Sequence, residues 1–236
     1  MAMQELWVTR LGLIDYDEAL ALQHRVHEAR VAGRIPDVLL LLEHPPVYTR
    51  GRRSVDSELP MGADWYARQG IAIRDVDRGG KVTYHGPGQL VGYPIVDTSA
   101  VQRDVPKFVE LLEQSITHAL AGEGVAARPD AAGRGVWAGE GKIGSIGLHV
   151  SQGVTTHGFM VNVDNDLRPF SWIKPCGLDD AATSIAEQTG QNGRMRCFSK
   201  RVAYAVATRL GMRQRLVSSA RLEEALSTAD DLVLAP

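Results

Sequence analysis

Arg78-Gly79-Gly80-Lys81-Val82-Thr83-Tyr84-His85-Gly86-Pro87-Gly88-Gln89-Leu90-Val91-Gly92-Tyr93-Pro94 is the stretch on which the reading of the whole chain turns. Val82 to His85 reads as a short strand, because β-branched and aromatic residues favour a pleated, half-buried surface. The two-residue period sends Thr83 and His85 to one face. Gly86-Pro87-Gly88 turns the chain, and Gln89 to Tyr93 starts a second strand whose pairing Pro94 limits. Glycines on both sides of a polar strand let backbone come close to another object, with N–H groups that suit an acyl carbonyl or a carboxylate. A Gly-rich hairpin serving structure alone is the other reading of the same residues.

Working outward, Leu6 to Gly12 reads as a strand, and Asp15 caps a helix through Ala19, Leu22, Val26 and Ala29 that stops at Gly33. Val38 to Glu43 is an apolar run of strand length ended by His44-Pro45-Pro46. A short helix is expected from Ala63 to Gln69, with Ile71 to Arg74 extended. The clearest helix follows Asp104, with Pro106 in its first turn and Phe108, Leu111, Leu112, Ser115, Ile116, Ala119 and Leu120 on one stripe. Val136 to Ala138, Lys142 to Val150 and Thr155 to Val163 read as strands divided by Gly-bearing turns. Helices return near Lys200 to Leu210 and Ala220 to Ser227. Strands grouped mid-chain with helices interspersed predict an α+β fold, a mixed sheet with helices packed on it. Residues 1–200 are expected to form the catalytic domain, and 201–236 a helical extension of it.

The 236 residues suffice for one domain with a full core. A formal charge of −2 gives no strongly basic face, which argues against nucleic acid as a partner. Val38 to Leu42, the longest aliphatic run, is too short for a bilayer, and Met1 to Glu5 lacks the basic and apolar regions of a signal peptide. The 2 cysteines do not make a secreted disulfide framework, so a reducing cytoplasm is the expected setting.

Cys176 lies in Lys174-Pro175-Cys176-Gly177, where a turn exposes the thiol and a helix start near Asp180 or a lysine would favour the thiolate. A packing cysteine in a loop is the plainer alternative; Cys197 is assigned to packing. Lys142, in Gly139-Glu140-Gly141-Lys142-Ile143-Gly144, enters an apolar strand amid glycines, where a partly desolvated amine beside a thiolate would exchange protons near neutral pH. Gly139 to Gly144 also matches a dinucleotide fingerprint, but strand residues follow where a helix is required, and no nucleotide cofactor is expected. His85, His149, His157 and Cys176 lack zinc-ligand spacing. His44 is read as a structural strand end, and His24 and His27 as exposed.

Taken together, Leu42-Glu43-His44-Pro45, the Arg78 to Pro94 run, Lys142-Ile143, Ser145-Ile146-Gly147, His157-Gly158 and Pro175-Cys176-Gly177 resemble the octanoyl-[acyl-carrier-protein]:protein octanoyltransferases of lipoate biosynthesis. The resemblance spans roughly Leu6 to Gly190 and implies the fold of lipoate and biotin ligase catalytic domains. It implies Cys176 as acyl-thioester nucleophile and Lys142 as its proton-handling partner, with no cofactor. Arg78 to His85, Ser145-Ile146-Gly147 and Gly158-Phe159-Met160 would line the substrate site. The implied partners are octanoyl-acyl carrier protein, the lipoyl domains of 2-oxoacid dehydrogenase E2 subunits and the glycine cleavage H protein. Gly144 stands where the resemblance leads one to expect alanine, which would loosen the chain beside Lys142. Arg50, Arg52, Arg53, Arg74, Arg78 and Lys81 are candidate cations for attracting an acidic carrier. Three rival readings stand beside this one: an ATP-dependent ligase that needs no cysteine, a hydrolase pairing Cys176 with His85 or His157, and a carrier-binding module without catalysis.

Overall fold

The computed structural model describes residues 4–129, 135–174 and 181–231. An eight-stranded mixed sheet runs in the order β11-β1-β2-β6-β10-β9-β8-β7, and a second sheet has the order β4-β3-β5. The large sheet comprises β1 (Glu5–Leu13), β2 (Asp37–Glu43), β6 (Gln89–Ile95), β7 (Ala127–Pro129), β8 (Gly135–Ala138), β9 (Gly141–Ser151), β10 (Val154–Asn162) and β11 (Arg213–Leu216). The small one comprises β3 (Val47–Arg50), β4 (Ala72–Asp75) and β5 (Thr83–His85). β1 pairs in parallel with β2 and β11, and the remaining pairings in the large sheet are antiparallel.

β2 shows why the sheet is covered on both faces. Its run of apolar residues sends Leu39 and Leu41 into a core with α3 (Val105–Ala121) and α5 (Met195–Arg209). Val38, Leu40 and Leu42 go into a second core with α1 (Tyr16–Val31) and α6 (Ser219–Asp231). A strand buried on both faces has no polar side to display, hence its unbroken apolar sequence. The helix starts follow from their caps: Asp15 accepts from the Asp17 N–H, and Asp104 accepts from the Lys107 N–H with proline in the first turn. A third core of Tyr48, Tyr66, Val82, Tyr84 and Ile173 packs on the small sheet. No helix among the described residues is long and apolar enough to cross a membrane.

The structure corrects three expectations. β5 and β6 do not form a hairpin, because Gly86-Pro87-Gly88 carries the chain from the small sheet to the large one. Pro94 lies within β6 and pairs with Leu39 of β2, yet on the other side the pairing with β10 stops at Gly92, so proline limits one edge of the strand and not the other. Cys197 is exposed: α5 buries Phe198, Val202, Ala203 and Val206, and position 197 lies off that face. A further strand, β11, went unread in the sequence.

Candidate active site

A cavity of about 1180 Å³ lies between the two sheets, walled by the Arg78 to Thr83 segment and His85 on one side and by β9 and β10 on the other. Arg78, Gly79, Gly80, Lys81, Val82, Thr83 and His85 line it, as do Ser145, Ile146, Gly147, Gly158, Phe159, Met160 and Lys142. Tyr84 does not. The alternation along β5 sends its ring into the third core, against Tyr48 and Phe170, where burial raises its phenol to about 12. Cys176 lies outside the described residues.

Lys142 is placed by backbone. Its N–H donates to Ala181 O at 2.7 Å, and its carbonyl accepts from the Thr183 N–H at 3.1 Å. Lys174 and Ala181, on either side of residues 175–180, both line the cavity. The Lys142 ammonium stands 5.7 Å from the centroid of Trp137, its cross-strand neighbour. Gly135 leaves the lysine its path, since a Cβ there would sit 2.7 Å from Lys142 Cε and 2.6 Å from Gly144 O. At Gly144, where the resemblance leads one to expect alanine, a Cβ would meet Met160 O at 3.1 Å and would fit only if that neighbour gave way slightly.

Arg78 is buried without a carboxylate partner among the described residues. Its guanidinium donates to Thr49 O at 2.6 Å, to Thr49 Oγ1 at 2.7 Å and to Gly79 O at 3.0 Å. Carbonyls and a hydroxyl satisfy its N–H groups, and its positive charge has a carboxylate, Glu58, nearby but none in direct contact among the described residues. Arg78 therefore takes no part in a surface patch. Arg50 pairs with Asp56 and Asp75, Arg74 with Asp17, and Lys81 with Glu58. Arg52 and Arg53 are exposed and form no ion pair among the described residues.

Within the Gly79 to Val82 stretch, two backbone donors are open among the described residues. The Gly79 N–H is committed to Leu148 O at 2.9 Å and the Val82 N–H to Glu58 Oε2 at 3.1 Å. The Gly80 and Lys81 N–H groups between them have no hydrogen-bond partner among the described residues, and both residues line the cavity. Unpartnered backbone N–H groups of this kind are donors suited to a developing oxyanion.

The polar residues behind the wall are locked by hydrogen bonds. Gln89 Nε2 donates to Tyr84 O and Asn162 Oδ1, so its Oε1 accepts from His85 Nδ1 at 2.8 Å. Asn162 donates in turn to Thr183 O at 2.9 Å, and the Thr183 N–H bonds Lys142 O. A buried chain of hydrogen bonds thus links His85 to the backbone of Lys142. His44 donates through Nδ1 to Ile14 O at 2.9 Å, and its Nε2 accepts from the Tyr93 hydroxyl at 2.7 Å. Burial pulls His44 down to about 4 and His85 well below its ordinary range. Tyr16 and Tyr93 also line the cavity, and sequence reasoning did not select them; so does His157, which the sequence offered as a motif residue and as the base of a rival hydrolase.

Two sheets enclosing a lysine-bearing cavity, with helices covering both faces of the larger sheet, define an α+β domain with an internal site. The chain belongs to the family of the lipoyl protein ligase A/B catalytic domain, which it matches over residues 15–207. It is 42% identical to an octanoyltransferase of Caldicellulosiruptor saccharolyticus across 93% of this chain and 95% of that one. An octanoyltransferase of Solibacter usitatus is 48% identical, covering 78% and 84% of the two chains. An octanoyltransferase of Mycolicibacterium smegmatis is 45% identical, covering 86% and 88%. Among solved structures, lipoate-protein ligase A bound with ATP superposes with a TM-score of 0.75 at 17% identity, covering 97% and 94%. A biotin protein ligase from Aquifex aeolicus in complex with biotin and ATP gives 0.52 at 15% identity, covering 88% and 70%. At such identities these two structures speak for the fold.

Proposed function

We propose that this chain moves an octanoyl group from octanoyl-acyl carrier protein, through a thioester on Cys176, to the lysine ε-amine of a lipoyl domain. The E2 subunits of 2-oxoacid dehydrogenases and the glycine cleavage H protein are the acceptors, and the reaction belongs to the cytoplasm. The observation that carries this reading is the strapping of Lys142 to Ala181 and Thr183 on the cavity wall, with Lys174 on that wall too. Both flanks of the segment bearing Cys176 thus border the space that Lys142 borders. Family membership and octanoyltransferase relatives across nearly the whole chain support the same activity.

The Cys176 thiolate attacks the carrier's thioester carbonyl, and the carbonyl oxygen becomes an oxyanion within reach of the Gly80 and Lys81 N–H groups. Collapse expels the carrier thiolate, which takes its proton from the Lys142 ammonium and so leaves that amine neutral, with the octanoyl thioester on Cys176. The acceptor amine attacks that thioester, Lys142 takes the proton the amine loses, and the amide is released with the cysteine restored. General-base help of this kind is worth roughly 10²–10⁴-fold. No ATP is required, because the acyl group arrives activated. A typical small-molecule pocket holds roughly 300–1,000 Å³, so the 1180 Å³ here suits an acyl chain together with the reactive arm of a second substrate.

Mass spectrometry of the chain after mixing with octanoyl-acyl carrier protein tests this directly. A single octanoyl adduct is expected, lost in Cys176→Ser and discharged as amide when a lipoyl domain is added without ATP. Transfer that survives Cys176→Ser, or that needs ATP, refutes the thioester route in favour of a ligase; release of free octanoate marks a hydrolase.

A further inference from the structure

Asp77 immediately precedes the Arg-Gly-Gly wall, and its carboxylate reaches across to the large sheet. Oδ1 accepts a 2.6 Å hydrogen bond from His157 Nε2, and Oδ2 lies 3.5 Å from His149 Nε2. Among the described residues, no other side chain in the segment 76–82 hydrogen-bonds to that sheet. Arg78 is committed to Thr49, and Lys81 and the Val82 N–H to Glu58, all on the small-sheet side. The Gly79 N–H to Leu148 O bond is the neighbouring backbone tie.

His157 is held in an expensive conformation. It has φ +56 within β10, a left-handed backbone that disfavours any residue except glycine. Glycine stands one residue later, where it is needed for another reason: a Cβ at Gly158 would meet Gly92 O at 2.0 Å. The histidine is kept at the strained position, with its N–H held by Gln23 Oε1 at 2.8 Å and its side chain 2% exposed. The strained backbone aims the ring at Asp77, and Asp77 stands three residues before the unpartnered Gly80 N–H.

We propose that Asp77 is a positioning residue for acyl transfer: its bond to His157 fixes the Arg-Gly-Gly wall against β9 and β10, and so sets the Gly80 and Lys81 amides where the oxyanion forms. The inference rests on the octanoyl-transfer reading of the site. It makes Asp77 matter to the rate of the chemical step rather than to substrate affinity, because the amides strengthen their hold as charge develops.

Steady-state transfer from octanoyl-acyl carrier protein to a lipoyl domain, run on the full chain with Asp77→Ala and Asp77→Asn, tests it. The alanine variant is expected to lose about 10–100-fold in kcat with KM for both substrates within about threefold. The asparagine variant still offers an oxygen to His157 and is expected to recover to within about fivefold of wild type. A kcat for Asp77→Ala within about twofold of wild type overturns the proposal, as does an asparagine variant as slow as alanine or a loss confined to KM. Should the alanine variant not accumulate folded, Asp77→Glu decides, since its carboxylate sits one methylene away. A loss of about tenfold in kcat is then expected, and wild-type kcat overturns the role. An inactive wild-type chain overturns the functional reading as well, whereas an active one indifferent to Asp77 overturns the positioning role alone.

Discussion

Acid should unfold this protein through its buried histidines, and His44 supplies the cleanest measurement. Its ring is 0% exposed, its tautomer is set by Ile14 O and the Tyr93 hydroxyl, and burial holds it at about 4 against an ordinary 6.5. The folded pKa lies below the unfolded one, so between the two the unfolded chain binds a proton that the folded chain refuses. Stability from this group is therefore complete above about pH 6.5 and declines as the pH falls toward 4. Linkage gives a loss of about 2 kcal/mol at pH 5, nearly independent of whether the folded value is 4 or a unit higher. His85, pulled well below its ordinary range, and His157, pulled down mainly by burial, act in the same direction. Asp77, lowered to about 2 chiefly by its bond to His157, adds a loss only in the lower window beneath its ordinary 3.8. Asp37, raised by burial, opposes the trend, but it is common to wild type and variant and cancels in their difference. Urea unfolding of wild type and His44→Gln at pH 8 and pH 5 gives the comparison, since glutamine keeps a donor and an acceptor but does not titrate. Wild type should lose about 2 kcal/mol more than the variant over that interval. Equal losses in the two proteins would refute the claim that a neutral His44 is part of the fold.

Gly135→Ala should place a methyl against Gly144 O and Lys142 Cε, at 2.6 and 2.7 Å in the unrelaxed backbone. The expected cost is about 1–3 kcal/mol in a thermal melt, with kcat for octanoyl transfer down about tenfold or more; wild-type kcat would show that Gly135 does not set the lysine. Charge reversal of Arg52 and Arg53, the exposed cations left without an ion pair among the described residues, should raise KM for octanoyl-acyl carrier protein about tenfold at low salt and leave kcat within about twofold. A KM that stays put, with unchanged salt dependence, would remove these arginines from carrier recognition.

Local chemistry made most elements legible, and tertiary relations were what it concealed. Asp104 and Pro106 mark the start of α3, and the unbroken apolar run of β2 announces a strand covered on both sides. β11 gave no such signal, because Arg213-Gln-Arg-Leu216 alternates nothing apolar and is instead joined to β1 by Arg213 and Arg215 pairing with Glu5. A glycine-proline-glycine turn looks the same whether the strands it joins pair with each other or enter different sheets. Tyr84 was the avoidable error: the period that places Thr83 and His85 on the cavity requires the residue between them to face away. Asp77 reads from sequence as an ordinary turn residue, since its partners come from strands 72 and 80 residues downstream.

The arrangement of charge around the cavity follows from these tertiary relations and bears on how the proposed transfer would work. His44, His85 and His157 are all pushed toward the neutral form by burial, and Arg78 lowers His85 and His157 further through like-charge repulsion. Arg78 itself keeps its charge, because even a lowered guanidinium titrates far above neutrality. The histidine cluster thus provides fixed dipoles without adding cations to a wall that already carries the Arg78 guanidinium beside two unpartnered amides. A neutral thioester gains little from that charge, whereas the oxyanion formed from it gains much more, because its full negative charge meets the guanidinium and the amides. Preference for the charged intermediate over the neutral substrate is what raises kcat rather than affinity. Protonating the histidines would spread the positive charge over the wall and erode that preference, so the groups whose neutrality stabilises the fold at pH 7 also keep the field at the carbonyl focused.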